Sequence, residues 1–157
     1  MLVVNLADLG KGPITVFSEF EPTPEIRETW PAGFDGLLCA KGQVERSGDR
    51  QSYRWKGTIE GTALGECRRC LTRVATPLRI EVDAVFTTDQ EAADDPGVYW
   101  IPELSRTLDL APVVREELGL AVPAFPLCKE DCAGLCHGCG ADLNEGPCGC
   151  DTIPVRD

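Results

Sequence analysis

Apolar and polar residues alternate along much of this chain, and the alternation has period two. Residues 2–6 and 14–20 read as short β segments. "LLCAKGQVER" and "YRWKGTIEGTAL" flank "SGDRQS", which reads as a hairpin loop. In the second of these strands Tyr53, Trp55, Ile59 and Ala63 fall on one face, and Arg54, Lys56, Thr58 and Glu60 on the other. The aromatic face is the core-facing one, which leaves the basic residues free to meet a partner. "PLRIEVDAVF" repeats the pattern, with Ile80, Val82, Ala84 and Phe86 alternating with Arg79, Glu81, Asp83 and Val85. "EPTPEIRETWPAGFDG" is a connection punctuated by Pro and Gly. The acidic "TTDQEAADDPG" reads as a mobile loop.

The period changes to 3.6 only in "LDLAPVVREELGLAV". Leu110, Val113, Val114, Leu118, Ala121 and Val122 line one side of a helix near 109–122. Asp109 caps its start, Pro112 is tolerated in the first turn, and Pro123 stops it. Beyond Pro123 apolar periodicity fades, and the tail needs a ligand to fold. The expected architecture is α+β: a mainly antiparallel sheet or open barrel with one main helix and a C-terminal cysteine-rich zinc-binding segment. The expected division is a β-rich core over 1–126 and a metal-binding tail over 127–157 packed on it.

The tail changes the question from fold to chemistry. "CKEDCAGLCHGCGADLNEGPCGC" carries six of nine cysteines, and "GECRRC" adds two at a strand-to-strand turn. The chain's start lacks a basic region before its apolar residues, so it reads as a strand and not a secretory signal. No apolar run reaches the roughly 18 residues of a membrane helix. A cytoplasmic location is therefore expected, and there a cysteine cluster points to metal before disulfides.

Haem attachment needs C-x-x-C-H, but His137 lies inside the pair Cys136–Cys139. A redox pair needs a helix N-terminus beside a βαβ unit, and neither C-x-x-C has one. Cys132, Cys136 and Cys139 match the spacing of radical enzymes with a four-iron cluster, but the chain has no room for the barrel those enzymes need. A simple iron–sulfur cluster on four thiolates stays possible. Structural zinc suits the pattern best, with four thiolates offered as two short-spaced pairs.

Four such pairs exist, enough for one or two ions: Cys67/Cys70, Cys128/Cys132, Cys136/Cys139 and Cys148/Cys150. Only "GADLNEGP" separates the last two pairs, so they can close a local site. Cys128 and Cys132 then return to Cys67 and Cys70. An all-tail site with Cys67 and Cys70 left free stays open. Both sites would be closed and structural, not catalytic. Cys39 reads as a small buried residue, and His137 as a bystander. No nucleophile–base pair or Gly-rich phosphate loop appears, so no enzyme activity and no small-molecule substrate is expected.

Charge refines the partner. The net charge of −11 argues against a simple electrostatic nucleic-acid binder. From Arg46 to Arg79, however, eight basic residues face three acidic ones, an excess of five, which leaves −16 on the rest. Arg50, Arg54, Lys56, Arg68, Arg69 and Arg73 are the candidate partner-binding residues.

Three motifs carry a resemblance: E-C-x-R-C-L at Glu66–Leu71, V-R-E-E-L at Val114–Leu118, and L-C-x-x-D-C-x-G-L-C-x-x-C-G-x-x-L-N-E-G-P-C-x-C from Leu127. From Trp55 to Cys150 the chain resembles the YceD-like family, the large ribosomal RNA accumulation proteins. The resemblance implies a bacterial cytosolic protein, with relatives in plastids, that is needed for accumulation of large-subunit ribosomal RNA. Some members lack the last cysteines yet keep the C-x-x-C turn, which fits the partition above. His137 stands where many members have proline. The resemblance implies as partners precursor RNA of the large subunit, a basic large-subunit ribosomal protein, or both. The alternative is a chaperone-like zinc protein that binds the basic protein without touching RNA.

Overall fold

The structure is a computed structural model that describes residues 2–48 and 52–150. Arg50 and the tip of the expected hairpin loop lie outside the described residues. The chain forms two compact units. One comprises residues up to Ala63 together with Pro77–Val122, and the other Leu64–Thr76 together with the chain from Pro123.

The first unit is built on an open five-stranded sheet. Its strands are β2 (Ile14–Phe20), β3 (Leu38–Arg46), β4 (Ser52–Glu66), β5 (Arg73–Thr87) and β6 (Val98–Trp100), neighbours in that order. β2 pairs antiparallel with β3 and β3 with β4, in the registers Val16↔Gly42 and Gly42↔Gly57. β6 runs parallel to β5, so the sheet is mixed at its edge and does not close into a barrel. β1 (Val3–Asn5) pairs with β7 (Thr107–Asp109) as a separate ribbon. β4 and β5 are each 15 residues long, and their joined ends run on into the second unit.

Period-two alternation sorts the side chains as the pattern predicts. Tyr53, Trp55, Ile59 and Ala63 are buried, as are Val82, Ala84 and Phe86. All of these but Ala63 share one core cluster with Leu38, Ala40 and Val44 from β3, with Leu110, and with Val113, Val114 and Leu118 from α2 (Ala111–Ala121). Leu110, not Asp109, is the N-cap of α2. Asp109 stands one residue earlier, and its Oδ1 accepts a hydrogen bond from the Ala111 N–H at 2.9 Å, so it serves the first turn from just outside the cap.

Two expectations change. Cys39 is only half-buried, because Leu38 and Ala40 take the core positions of β3 and the alternation turns Cys39 outward. The connection after β2 holds a short helix, α1 (Pro24–Thr29), which buries Ile26. Thr23 before Pro24 is a legible helix start, but six residues are too few for a helical period.

β3 and β4 cross closely at two facing glycines. A Cβ on Gly57 would stand 2.2 Å from the Lys41 carbonyl oxygen and 2.9 Å from Trp55 Nε1. The indole of Trp55 thus fills the space beside Gly57. Gly57→Ala should lower stability by about 1–3 kcal/mol through overpacking against backbone. Gly61→Ala, whose Cβ meets only the Leu38 side chain, should cost less. Urea denaturation of the two variants checks the order.

Candidate metal centres

The second unit holds two turns of the same construction. In the first, the Leu71 N–H donates to the Cys67 carbonyl and the Cys67 N–H to the Thr72 carbonyl, both at 2.8 Å. In the second, the Gly140 N–H donates to the Cys136 carbonyl and the Cys136 N–H to the Ala141 carbonyl, again at 2.8 Å. Within each turn a backbone N–H points at the first sulfur: Arg69 to Cys67 Sγ at 3.5 Å, and Gly138 to Cys136 Sγ at 3.4 Å. The residue after each second cysteine has positive φ, Gly140 at 74° and Leu71 at 61°. Glycine accepts that conformation freely, whereas leucine is strained by it.

Each turn is completed by a second pair of cysteines. Cys67, Cys70, Cys128 and Cys132 form one cluster, and Cys136, Cys139, Cys148 and Cys150 the other, with the sulfurs of each within 4.8 Å of one another. This is the partition expected from chain geometry. Cys67 Sγ is 3.7 Å from Cys132 Sγ, and Cys70 Sγ is 3.6 Å from Cys128 Sγ. Four thiolates around one tetrahedral ion at the usual ~2.3 Å would stand about 3.8 Å apart. In the second cluster Cys148 Sγ is 3.1 Å from Cys136 Sγ. All nine cysteines are free thiols. His137 is exposed and belongs to neither cluster.

The first cluster is the more buried. Cys67, Cys70 and Cys132 lie inside and only Cys128 is exposed, whereas Cys139 and Cys150 of the second are both exposed. Arg69 and Asn144 brace the first cluster. The Arg69 guanidinium donates to the carbonyls of Glu130 and Cys132, at 3.2 and 2.9 Å. Asn144 Nδ2 donates to Cys132 Sγ at 3.4 Å, while its Oδ1 accepts from the Ala133 N–H at 2.9 Å. Asn144 was not among the expected site residues. Its signal was the "DLNEG" turn between cysteine pairs, a sequence suited to side-chain-to-backbone bonds.

The electrostatics prepare the thiols for a cation. Burial pushes the Cys67 thiol up, but backbone N–H groups of Cys128, Cys70 and Arg69 outweigh it and bring it to about 6. The Cys139 amide, the Cys148 thiol and the Gly138 amide bring Cys136 to about 6. The Asn144 amide draws Cys132 down. Burial and neighbouring sulfurs push Cys128 up to about 12, and the hydrogen bond to Cys139 does the same to Cys150. Each cluster thus joins ready thiolates to thiols that keep their proton because a neighbour is already charged. A divalent cation removes that repulsion. Donor set and hydrogen bonding fit a metal ion at each cluster; the sulfur spacing matches one at the first, and at the second Cys136 and Cys148 stand closer than that spacing.

The candidate partner-binding residues fall in different places. Arg54 and Lys56 lie on the outer sheet face of the first unit, where Asp83 holds Arg54 by two bonds of 2.6 Å and lies 3.9 Å from Lys56. Arg54 is therefore not free, as the alternation alone had suggested. Arg68, Arg69 and Arg73 belong to the second unit. Arg69 is engaged by backbone carbonyls, whereas Arg68 lies over the ring of Phe125 at 5.8 Å.

A family model described as large ribosomal RNA subunit accumulation protein YceD matches residues 55–156. The chain belongs to the YceD family. An uncharacterised protein of Mycobacterium tuberculosis is 32% identical over 96 residues, 58% of this chain and 45% of that protein. The uncharacterised protein YlbN of Bacillus subtilis is 26% identical over 118 residues, 72% of this chain and 66% of YlbN. The chloroplastic large ribosomal RNA subunit accumulation protein YCED homolog 1 of Arabidopsis thaliana is 27% identical over 88 residues, 49% of this chain and 27% of that protein. The chain spans less than half the length of the mycobacterial relatives it matches. No solved structure matches it.

The two clusters should load separately. Cys70→Ser and Cys148→Ser should each retain one ion per chain, and the double variant none, as counted by elemental analysis. Asn144→Ala should weaken the first site about 10-fold in chelator competition, the lower end of what lost outer-shell hydrogen bonds cost.

Proposed function

We propose that the chain is a non-enzymatic factor that supports accumulation of large-subunit ribosomal RNA by contacting precursor RNA. In this proposal each cysteine cluster holds a structural zinc ion, and the protein works in the cytoplasm. The stack of Arg68 on Phe125 carries the RNA contact. Phe125 is 70% exposed, and Arg68 and Arg73 are exposed in the same unit. A largely exposed aromatic ring with a guanidinium over one side suits an unpaired base and its phosphate. Leu71, 60% exposed in spite of its strained backbone, adds apolar surface to that unit. The family description and the chloroplastic relative's name, both of which speak of large ribosomal RNA subunit accumulation, supply the target.

Zinc is proposed because four thiolates per ion form closed tetrahedral sites with no position for water or substrate. That closure also supports a role without catalysis. Two zinc tetrathiolates add −2 each to the formal charge of −11, giving −15. RNA contact must then be local, on patches held away from the acidic surface.

A second proposal has its own observation. An open depression of about 520 Å³ in the first unit is lined by Asp89, Glu91, Glu103 and Trp100, which is 48% exposed. Carboxylates around an indole suit a lysine or arginine side chain of a basic ribosomal protein.

Filter binding to fragments of large-subunit precursor RNA separates the two. Arg68→Glu and Phe125→Ala should each weaken binding about 5- to 100-fold, as expected for loss of one stacking contact. Wild-type affinity should fall with salt at a slope of about −2 to −3, as for three or four phosphates on a single strand. A wild-type chain that ignores RNA but binds a basic ribosomal protein through Trp100 would replace the first proposal with the second.

A further inference from the structure

The outer face of the first unit's sheet repeats a pattern of cations and carboxylates across three strands. An open depression of about 550 Å³ lies there, lined among others by Lys41, Lys56, Thr58, Arg79, Glu81 and Asp83. Three cations against two carboxylates leave these residues at +1.

The ion pairs show which groups are committed. Lys41 bonds Glu60 at 2.8 Å, and Arg79 bonds Glu60 and approaches Glu81 at 3.5 Å. Asp83 accepts from Nε and Nη2 of Arg54. Lys56 is the cation with least: one contact of 3.9 Å to an Asp83 already taken, and a side chain 57% exposed. Thr58 has nothing. It is only 8% exposed, and its hydroxyl is buried without a hydrogen-bond partner. A buried hydroxyl is normally satisfied, so an orphan one on a residue that lines a depression points to a partner there.

Lys56 and Thr58 sit two residues apart on the same face of β4, about 6.6 Å along the strand. Lys41 is the register partner of Thr58 on β3. An ammonium has three donors and no acceptor, and a hydroxyl can donate as well. The free capacity here is therefore donor capacity beside positive charge. It suits an oxyanion whose separate oxygens can reach both groups, as the two non-bridging oxygens of a phosphodiester do.

We propose that this depression is a phosphodiester-binding site, in which Lys56 and Thr58 take the oxygens of a backbone phosphate of RNA. The proposal rests on the RNA-contact function above and adds a second place of contact, on the sheet. Lys56 supplies the charge, and Thr58 the directional hydrogen bond.

Amide NMR of the metal-loaded full chain tests it, with a uridine decanucleotide, inorganic phosphate and an acidic peptide as separate probes. Filter binding of the same oligonucleotide gives affinities. The decanucleotide should shift Lys56, Thr58 and Lys41. Thr58→Val, which keeps the shape, should weaken RNA binding about 3- to 10-fold, and Thr58→Ser should restore it. Lys56→Ala should reduce the salt slope by about 0.7.

If RNA binds, Arg68→Glu abolishes binding, and neither sheet variant nor the Lys56 and Thr58 amides respond, the sheet site is refuted and the RNA function stands. If the chain binds no RNA but inorganic phosphate shifts Lys56 and Thr58, the anion chemistry is upheld and the RNA function fails. Shifts with the acidic peptide alone overturn the phosphate assignment.

Discussion

Eight thiols gathered into two groups of four are what the second unit has in place of an apolar core. Among the described residues, its buried cluster besides Cys67, Cys70 and Cys132 draws only on the half-buried Val74, Leu127 and Leu135. Chain ordering carries an entropic cost at every residue, and so little apolar surface cannot offset it. The two turns at Cys67 and Cys136 give the sulfurs direction, because their backbone bonds are fixed before any side chain is considered. Thiolates brought this close repel one another unless a cation lies among them. On this account, metal binding and folding of the second unit are one event.

The first unit follows different physics. Its sheet has a core on one face, organised by Trp55 over the Gly42–Gly57 crossing, and a lattice of ion pairs on the other. Such exposed pairs contribute little stability, about 0–1 kcal/mol each. Their effect is to set which charges remain available. Asp83 takes up Arg54 and Glu60 takes up Lys41 and Arg79, so the local excess of positive charge is smaller in space than it is along the chain. Among the described candidate residues, Lys56 has one distant carboxylate contact, and Arg68 and Arg73 are exposed.

Much of this was legible in the sequence, for identifiable reasons. Short cysteine spacings report which sulfurs one turn can present together, and a short linker reports which pairs can meet, so both clusters could be assembled on paper. The strands carrying Trp55 and Phe86, and the helix carrying Leu118, announced themselves because a single period persists over many residues. Helix α1 and strands β6 and β7 are too short for any period to show. The bond from Arg54 to Asp83 joins residues 29 positions apart and depends on strand neighbours, which no local pattern records. Leu71 at positive φ was hidden for the opposite reason. A leucine gives no sign of the conformation that Gly140 reveals in the matching turn.

The most direct test is hydrogen exchange measured on the chain as purified without oxygen, before and after chelation. Zinc at two ions per chain is expected in the starting material. On its removal, amides in 64–76 and 123–150 should lose protection together, while those of β2, β3 and α2 keep theirs. Iron with labile sulfide in the starting material, or unchanged protection across the second unit after complete metal removal, would contradict the account.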